Sequence, residues 1–173
     1  MVERSYRLKF CVGTTKERDM VLIYLCALVL ANLSVSYFGP WVSPINAFLL
    51  IGLDLSLRDK LHERWKEHLW SKMFALIVGA GAISFVLNPA SINIAIASVI
   101  AFIAAGLVDA FVYQRLVSKQ WLIKSNASNA AGAAVDSLIF PTIAFGSLMP
   151  AIVLLQFAAK VVGGALWSWM LRK

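Results

Sequence analysis

Four ionisable side chains stand where charge is costly: Asp54, Asp109, Asp136 and Lys160 each fall inside an apolar run. At the centre of a helix in lipid such a charge costs roughly 2.5–3.5 kcal/mol on insertion scales, so each needs a partner or a polar cavity. A carboxylate in that setting can accept hydrogen bonds from a ligand, carry a proton or neutralise a cation. Asp136 and Lys160 lie nearest the middle of their runs, and a contact between the two helices would let each neutralise the other. Buried ion pairs rarely stabilise more than an apolar substitute would, so functional use explains this pair better than packing alone. Asp54 precedes Arg58 by four residues, which puts both on one helix face at the edge of their run, where a structural salt bridge is an equal reading. Asp109 lies two turns before the end of its run, with Tyr113 and Arg115 beyond it.

The run that holds Asp136 has an unusual texture. It opens with Asn126, Ser128, Asn129 and Gly132 among alanines, reaches Asp136-Ser137, and meets Pro141. Small residues let helices approach closely, and Pro141 frees the carbonyl four residues back, so an interruption of the helix is expected there. A tightly packed small-residue interface is the plainer alternative. The combination with Asp136, Asn126 and Asn129 favours a ligand site. Phe48, Phe111, Phe140 and Phe145 lie within runs and are the aromatic candidates for stacking, whereas Trp41, Trp65, Trp70, Trp121, Trp167 and Trp169 mostly flank them, as interfacial anchors do. His62 and His68 stand six residues apart and do not form a zinc-binding HExxH. No nucleophile elbow, phosphate loop or cysteine cluster is present, and no cofactor or metal is expected. Cys11 and Cys26 read as free thiols.

The elements that position these groups follow from composition. Hydrophobic residues make up 60% of the 173 and charged residues 14%, against about 45–50% and about 25% in soluble domains. A globule this small cannot bury so much apolar surface, but a bilayer can solvate it. Six runs are expected to cross it, at about 20–38, 42–57, 69–87, 92–117, 127–147 and 151–171. All but the second comfortably meet the ~20 residues a span needs. Gly39-Pro40, Asn88-Pro89 and Pro150 mark three of the connections.

Charge then sets the orientation. Of sixteen Lys and Arg residues, fifteen lie in the N-terminal segment, after the second span, after the fourth or after the sixth, and none lies in the other three connections. The positive-inside rule therefore predicts an all-α bundle of six spans with both termini in the cytoplasm. The expected divisions are a basic cytoplasmic segment (1–19), the membrane domain (20–171) and a cytoplasmic end (172–173). The net charge of +7 thus belongs to a membrane surface rather than to nucleic acid. The polar N-terminal stretch carries no cleavage signal, so the first span is expected to be retained.

Three segments resemble the bacterial queuosine-precursor transporters, also described as putative vitamin uptake transporters: Gly52–Arg58, Val108–Arg115 and Asn126–Phe140. Lys160, closing Gln156-Phe-Ala-Ala-Lys160, matches a lysine in the family's last helix, and Asn32 falls where members often carry asparagine. Asn129 and Ser137 stand where many have threonine, Ser125 where many have asparagine, and the connection between the third and fourth spans is compact. The resemblance implies six helices in a bacterial-type inner membrane and uptake of 7-cyano-7-deazaguanine or 7-aminomethyl-7-deazaguanine. It also implies Asn32, Asn126, Asn129 and Asp136 as ligand-facing residues, with Asp54, Arg58, Asp109, Arg115 and Lys160 supporting or gating.

Other classes make different demands. The substrate-binding subunit of an ATP-driven importer would need an ATPase module, for which Ala27 and Ala31 offer a small-residue docking contact. A homodimer is left open. A lipid-modifying enzyme would need a nucleophile, a base and metal ligands near one interface, and a purely structural membrane protein would not need aspartates within three spans.

Overall fold

The computed structural model describes residues 15–65 and 69–170. Arg4, Arg7, Lys9, Cys11, Lys66, His68, Arg172 and Lys173 lie outside the described residues, and with them part of the charge pattern. The described chain is helical in every regular element: α1 (Thr15–Phe38), a 3-10 turn (Pro40–Val42), α2 (Ser43–Asn46), a π-helical stretch (Ala47–Ile51), α3 (Gly52–Arg64), α4 (Leu69–Leu87), a second 3-10 turn (Pro89–Ser91), α5 (Ile92–Arg115), α6 (Trp121–Phe145) and α7 (Pro150–Met170). Residues 40–64 run as one composite rod, so the bundle has six rods, as expected for an all-α membrane protein.

Among the described residues five rods are long and apolar enough to cross a bilayer: Lys16–Phe38, Pro40–Arg58, Trp70–Leu87, Pro89–Arg115 and Pro150–Trp167. The exception is α6. Its 25 residues suffice in length, but its polar residues leave it too hydrophilic to qualify on composition. It packs between α5 and α7. A Cβ on Gly132 would stand 3.2 Å from the carbonyl oxygen of Ala105 and 3.4 Å from Cβ of Asp109. The small residues of α6 therefore let two backbones touch.

The connections are those the sequence marks. Gly39 adopts φ 76°, and Gly146 closes α6 at φ 68°, a left-handed conformation that glycine takes without penalty. Asn88 caps the turn after α4, its side chain accepting from the amide of Ala90. Pro150 opens α7, where its missing N–H costs nothing. The helices outrun their apolar runs, with α1 beginning at Thr15 and α6 at Trp121.

Three expectations are corrected. α6 is not interrupted at Pro141 but continues through it to Phe145. Thr142 turns its hydroxyl onto the carbonyl of Leu138, the kind of local adjustment that lets a bundle tolerate proline. Trp65 is not an interfacial anchor: it is buried, donates its indole N–H to Glu17 and carries Lys72 over its ring. Ala27 and Ala31 are buried inside the bundle, so they are not presented to an ATPase partner.

The apolar core gathers Tyr24, Leu28, Leu57, Leu61, Trp65, Met73, Ile77 and Ala80 from α1, α3 and α4. It fills the half of the bundle nearer the basic connections. A cavity opens in the other half.

Candidate functional site

All six rods contribute to a cavity of roughly 600 Å³, open mouth included, in the half nearer Gly39, Asn88 and Pro150. Leu28, Ile77 and Ala80 are shared with the core and form its floor, and Phe102 and Phe140 give it two aromatic walls. The polar lining is Asn32, Ser43, Asn46, Ser98, Asp136, Gln156 and Lys160.

Asp136 and Lys160 meet across α6 and α7, as their positions predict, through Oδ2 of the aspartate. The ammonium has three N–H donors, and all are engaged, the other two by Ser137 Oγ at 3.0 Å and Gln156 Oε1 at 3.2 Å. Gln156 in turn donates to Ser43 Oγ at 2.8 Å. The pair is lopsided in access: 3% of the lysine side chain is exposed, against 19% of the aspartate. The cation is therefore sealed and saturated, while the carboxylate keeps an open face, its Oδ1 without a hydrogen bond among the described residues and able to accept one. The site presents an acceptor to the cavity and no net charge.

Asn32 faces the same space with the opposite capability. Its Oδ1 accepts from Ser98 Oγ at 2.6 Å, and its Nδ2 donates to Ser84 Oγ at 3.3 Å. Ser84 spends its own hydroxyl hydrogen on the carbonyl of Ala80 at 2.8 Å, so it can only accept from Asn32 and the amide cannot turn round. One N–H of Asn32 is left over as a donor.

The remaining sequence-predicted residues lie elsewhere. Asn129 accepts from Arg58 Nη2 at 3.3 Å, and Asn126 is exposed; neither lines the cavity. Asn129 is seven residues before Asp136, which at 1.5 Å per residue places it about 10 Å deeper along α6. With fully buried Asp54 and Tyr24, which lies within electrostatic reach of Asp54 and Arg58, Asn129 forms a polar layer beneath the floor. Arg58 also sits 5.8 Å from the ring centroid of Phe102, linking this layer to the cavity wall. Asp109 packs beside Gly132 with its Oδ1 sealed from solvent and, among the described residues, without a hydrogen-bond partner. Arg115 is exposed at the end of α5 over the ring of Phe111. Phe140 lies at the site and meets Phe145 edge-on at 6.2 Å.

Ser43, Asn46, Ser98, Phe102 and Gln156 are the lining residues that sequence reasoning missed as site residues. Uncharged, they carry no large cost that singles them out. The matched face of α7 held the one usable signal, since Gln156 and Lys160 are four apart and share a side.

A multi-pass bundle with a polar, charge-balanced cavity fits a membrane transporter. The sequence model of the putative vitamin uptake transporter family matches residues 8–172, and the chain belongs to that family. No curated protein and no solved structure matches it.

Proposed function

We propose that the protein imports a queuosine precursor, 7-cyano-7-deazaguanine or 7-aminomethyl-7-deazaguanine, across a bacterial cytoplasmic membrane, with both termini inside. The open carboxylate edge of Asp136 carries the reading. A deazaguanine offers its N1–H and 2-amino group as adjacent donors, and one carboxylate can accept both. The leftover N–H of Asn32 suits the base carbonyl, and Phe102 and Phe140 suit its flat faces. Because Lys160 already balances Asp136, the uncharged nitrile is the better guest: an aminomethyl cation would enter with no spare counter-charge.

With the basic connections in the cytoplasm, the cavity belongs to the outer half of the bundle. The layer of Tyr24, Asp54, Arg58 and Asn129 then stands between ligand and cytoplasm, which supports assigning Asp54 and Arg58 to gating. A clean division of labour follows. Asn126→Ala and Asn129→Ala should leave precursor affinity within about threefold, as expected of residues outside the contact, while Asn129→Ala alters the transport rate. Equilibrium binding beside initial-rate uptake separates the two, and a large affinity loss in either variant would return these residues to the site.

The function itself is tested by complementation. A strain that makes queuosine only from imported precursor is given this gene, and its transfer RNA is scored for the modification. Restoration is expected at low external precursor; unmodified transfer RNA despite membrane expression would overturn the proposal.

A further inference from the structure

The hydrogen bonds around Asn46 assign it a role that its residue type alone would not. Asn46 is 8% exposed and lines the cavity from α2. Its Nδ2 donates to the carbonyl oxygen of Ala31 at 3.2 Å and to Ser34 Oγ at 2.7 Å. Ser34 has already committed its hydroxyl hydrogen to that same carbonyl at 3.1 Å. Both partners can therefore only accept. A reversed amide would set its oxygen against two lone-pair-bearing oxygens, so the orientation is fixed by chemistry rather than chosen. Both amide hydrogens are used. Oδ1 has no hydrogen bond among the described residues and is not among the sealed polar atoms.

α1 thus holds Asn46 as an acceptor with its donors tied back. Gln156 is polarised the same way: Ser43 gives its hydrogen to the carbonyl of Pro40 at 2.6 Å and so takes the amide N–H of Gln156, whose oxygen meets Lys160. The difference is that the oxygen of Gln156 is occupied and that of Asn46 is not. We infer that Asn46 is a specificity-determining residue whose Oδ1 accepts a ring N–H of the ligand distinct from the donors taken by Asp136. Resting on the deazaguanine reading, this assigns Asn46 the pyrrole N–H of the five-membered ring. A guest with an acceptor there meets oxygen against oxygen in a nearly dry site, and it is rejected.

The test compares 7-cyano-7-deazaguanine with its furan analogue, in which a ring oxygen replaces the pyrrole N–H with little change of shape. Binding is measured on the purified full-length protein. The wild type should prefer the parent by about 10–100-fold, the range for leaving buried polar groups unpaired. Asn46→Leu should reduce that preference to about threefold or less, while still favouring the parent over a 2-deamino analogue. Ser34→Ala, which removes one of the two tethers without touching the cavity, should give an intermediate ratio if Asn46→Leu does not fold. An unchanged ratio in either folded variant overturns the role of Asn46 alone. Failure of the wild type to bind the parent overturns the deazaguanine reading and this inference with it.

Discussion

An Asp136→Asn variant is expected to lose precursor uptake by about 100-fold or more, the scale of an unpaired polar contact in a desolvated site. The loss follows from where the amide must point. Lys160 is sealed and donates toward position 136, so the new side chain turns its oxygen to the lysine and its NH2 to the cavity. Ligand donors then meet a donor. The same change strips a buried cation of its counter-charge, which costs about 3–5 kcal/mol of stability. A lower uptake alone would therefore be ambiguous. The double variant Asp136→Leu with Lys160→Met removes both charges at similar volume, and such replacements are often neutral or stabilising. It should unfold near the wild-type temperature in detergent yet still fail to take up labelled precursor. Transport by the double variant would mean that the pair only fastens α6 to α7.

That test isolates what the sequence made legible. Charges in apolar runs are conspicuous because their cost is large, and Asp136 and Lys160 were paired correctly on that ground. The six rods were legible for a related reason. α6 is too polar to qualify as a span by hydropathy, yet the alternation of basic connections requires a crossing there. Depth was harder to read. Asn129 and Asp136 are seven residues apart and therefore share a helix face, but they stand about 10 Å apart along the axis. One serves a layer with Arg58, the other the cavity. Periodicity reports the face and is silent on the layer. Asn46 escaped for a different reason. The π-helical residues Ala47–Ile51 widen the turn that follows it, so a 3.6-residue count across residues 42–57 assigns the two ends of that run to inconsistent faces. Buried Trp65 was misplaced because residue type predicts an interfacial anchor, whereas its burial depends on Glu17 and Lys72 arriving from other helices.

The wider turn also explains why a glycine outside the cavity should matter to it. Gly163→Ala is expected to destabilise the bundle by about 1–3 kcal/mol, as overpacking does, and Gly164→Ala is expected to be harmless. The two residues are neighbours on α7 but face different company. A Cβ on Gly163 would strike the carbonyl oxygen of Phe48 and lie 3.0 Å from its C and Cα, all backbone atoms that cannot rotate away. A Cβ on Gly164 would meet only Cδ1 of Leu55 at 3.7 Å, an ordinary contact, and alanine suits a helix better than glycine by up to about 1 kcal/mol. Phe48 sits within the π-helical stretch, and Gly52 at its end presses on Gly163 from the same side, where a Cβ would stand 2.7 Å from the carbonyl carbon of Gly163. Ser56 fastens the seam further, its hydroxyl lying within hydrogen-bond reach of the carbonyls of Gly52 and Gly164. Pushing α7 off this seam would displace Asn46, Ala47 and Ile51 on one side and Gln156 and Lys160 on the other, all of them cavity lining. Gly163→Ala should therefore reduce uptake by about tenfold or more, since small misplacements of positioned groups are costly, in protein that still reaches the membrane. Thermal unfolding and initial uptake rates of the two single variants, measured side by side, decide the matter. Equal behaviour of Gly163→Ala and Gly164→Ala would show that α7 and the second rod do not meet backbone to backbone.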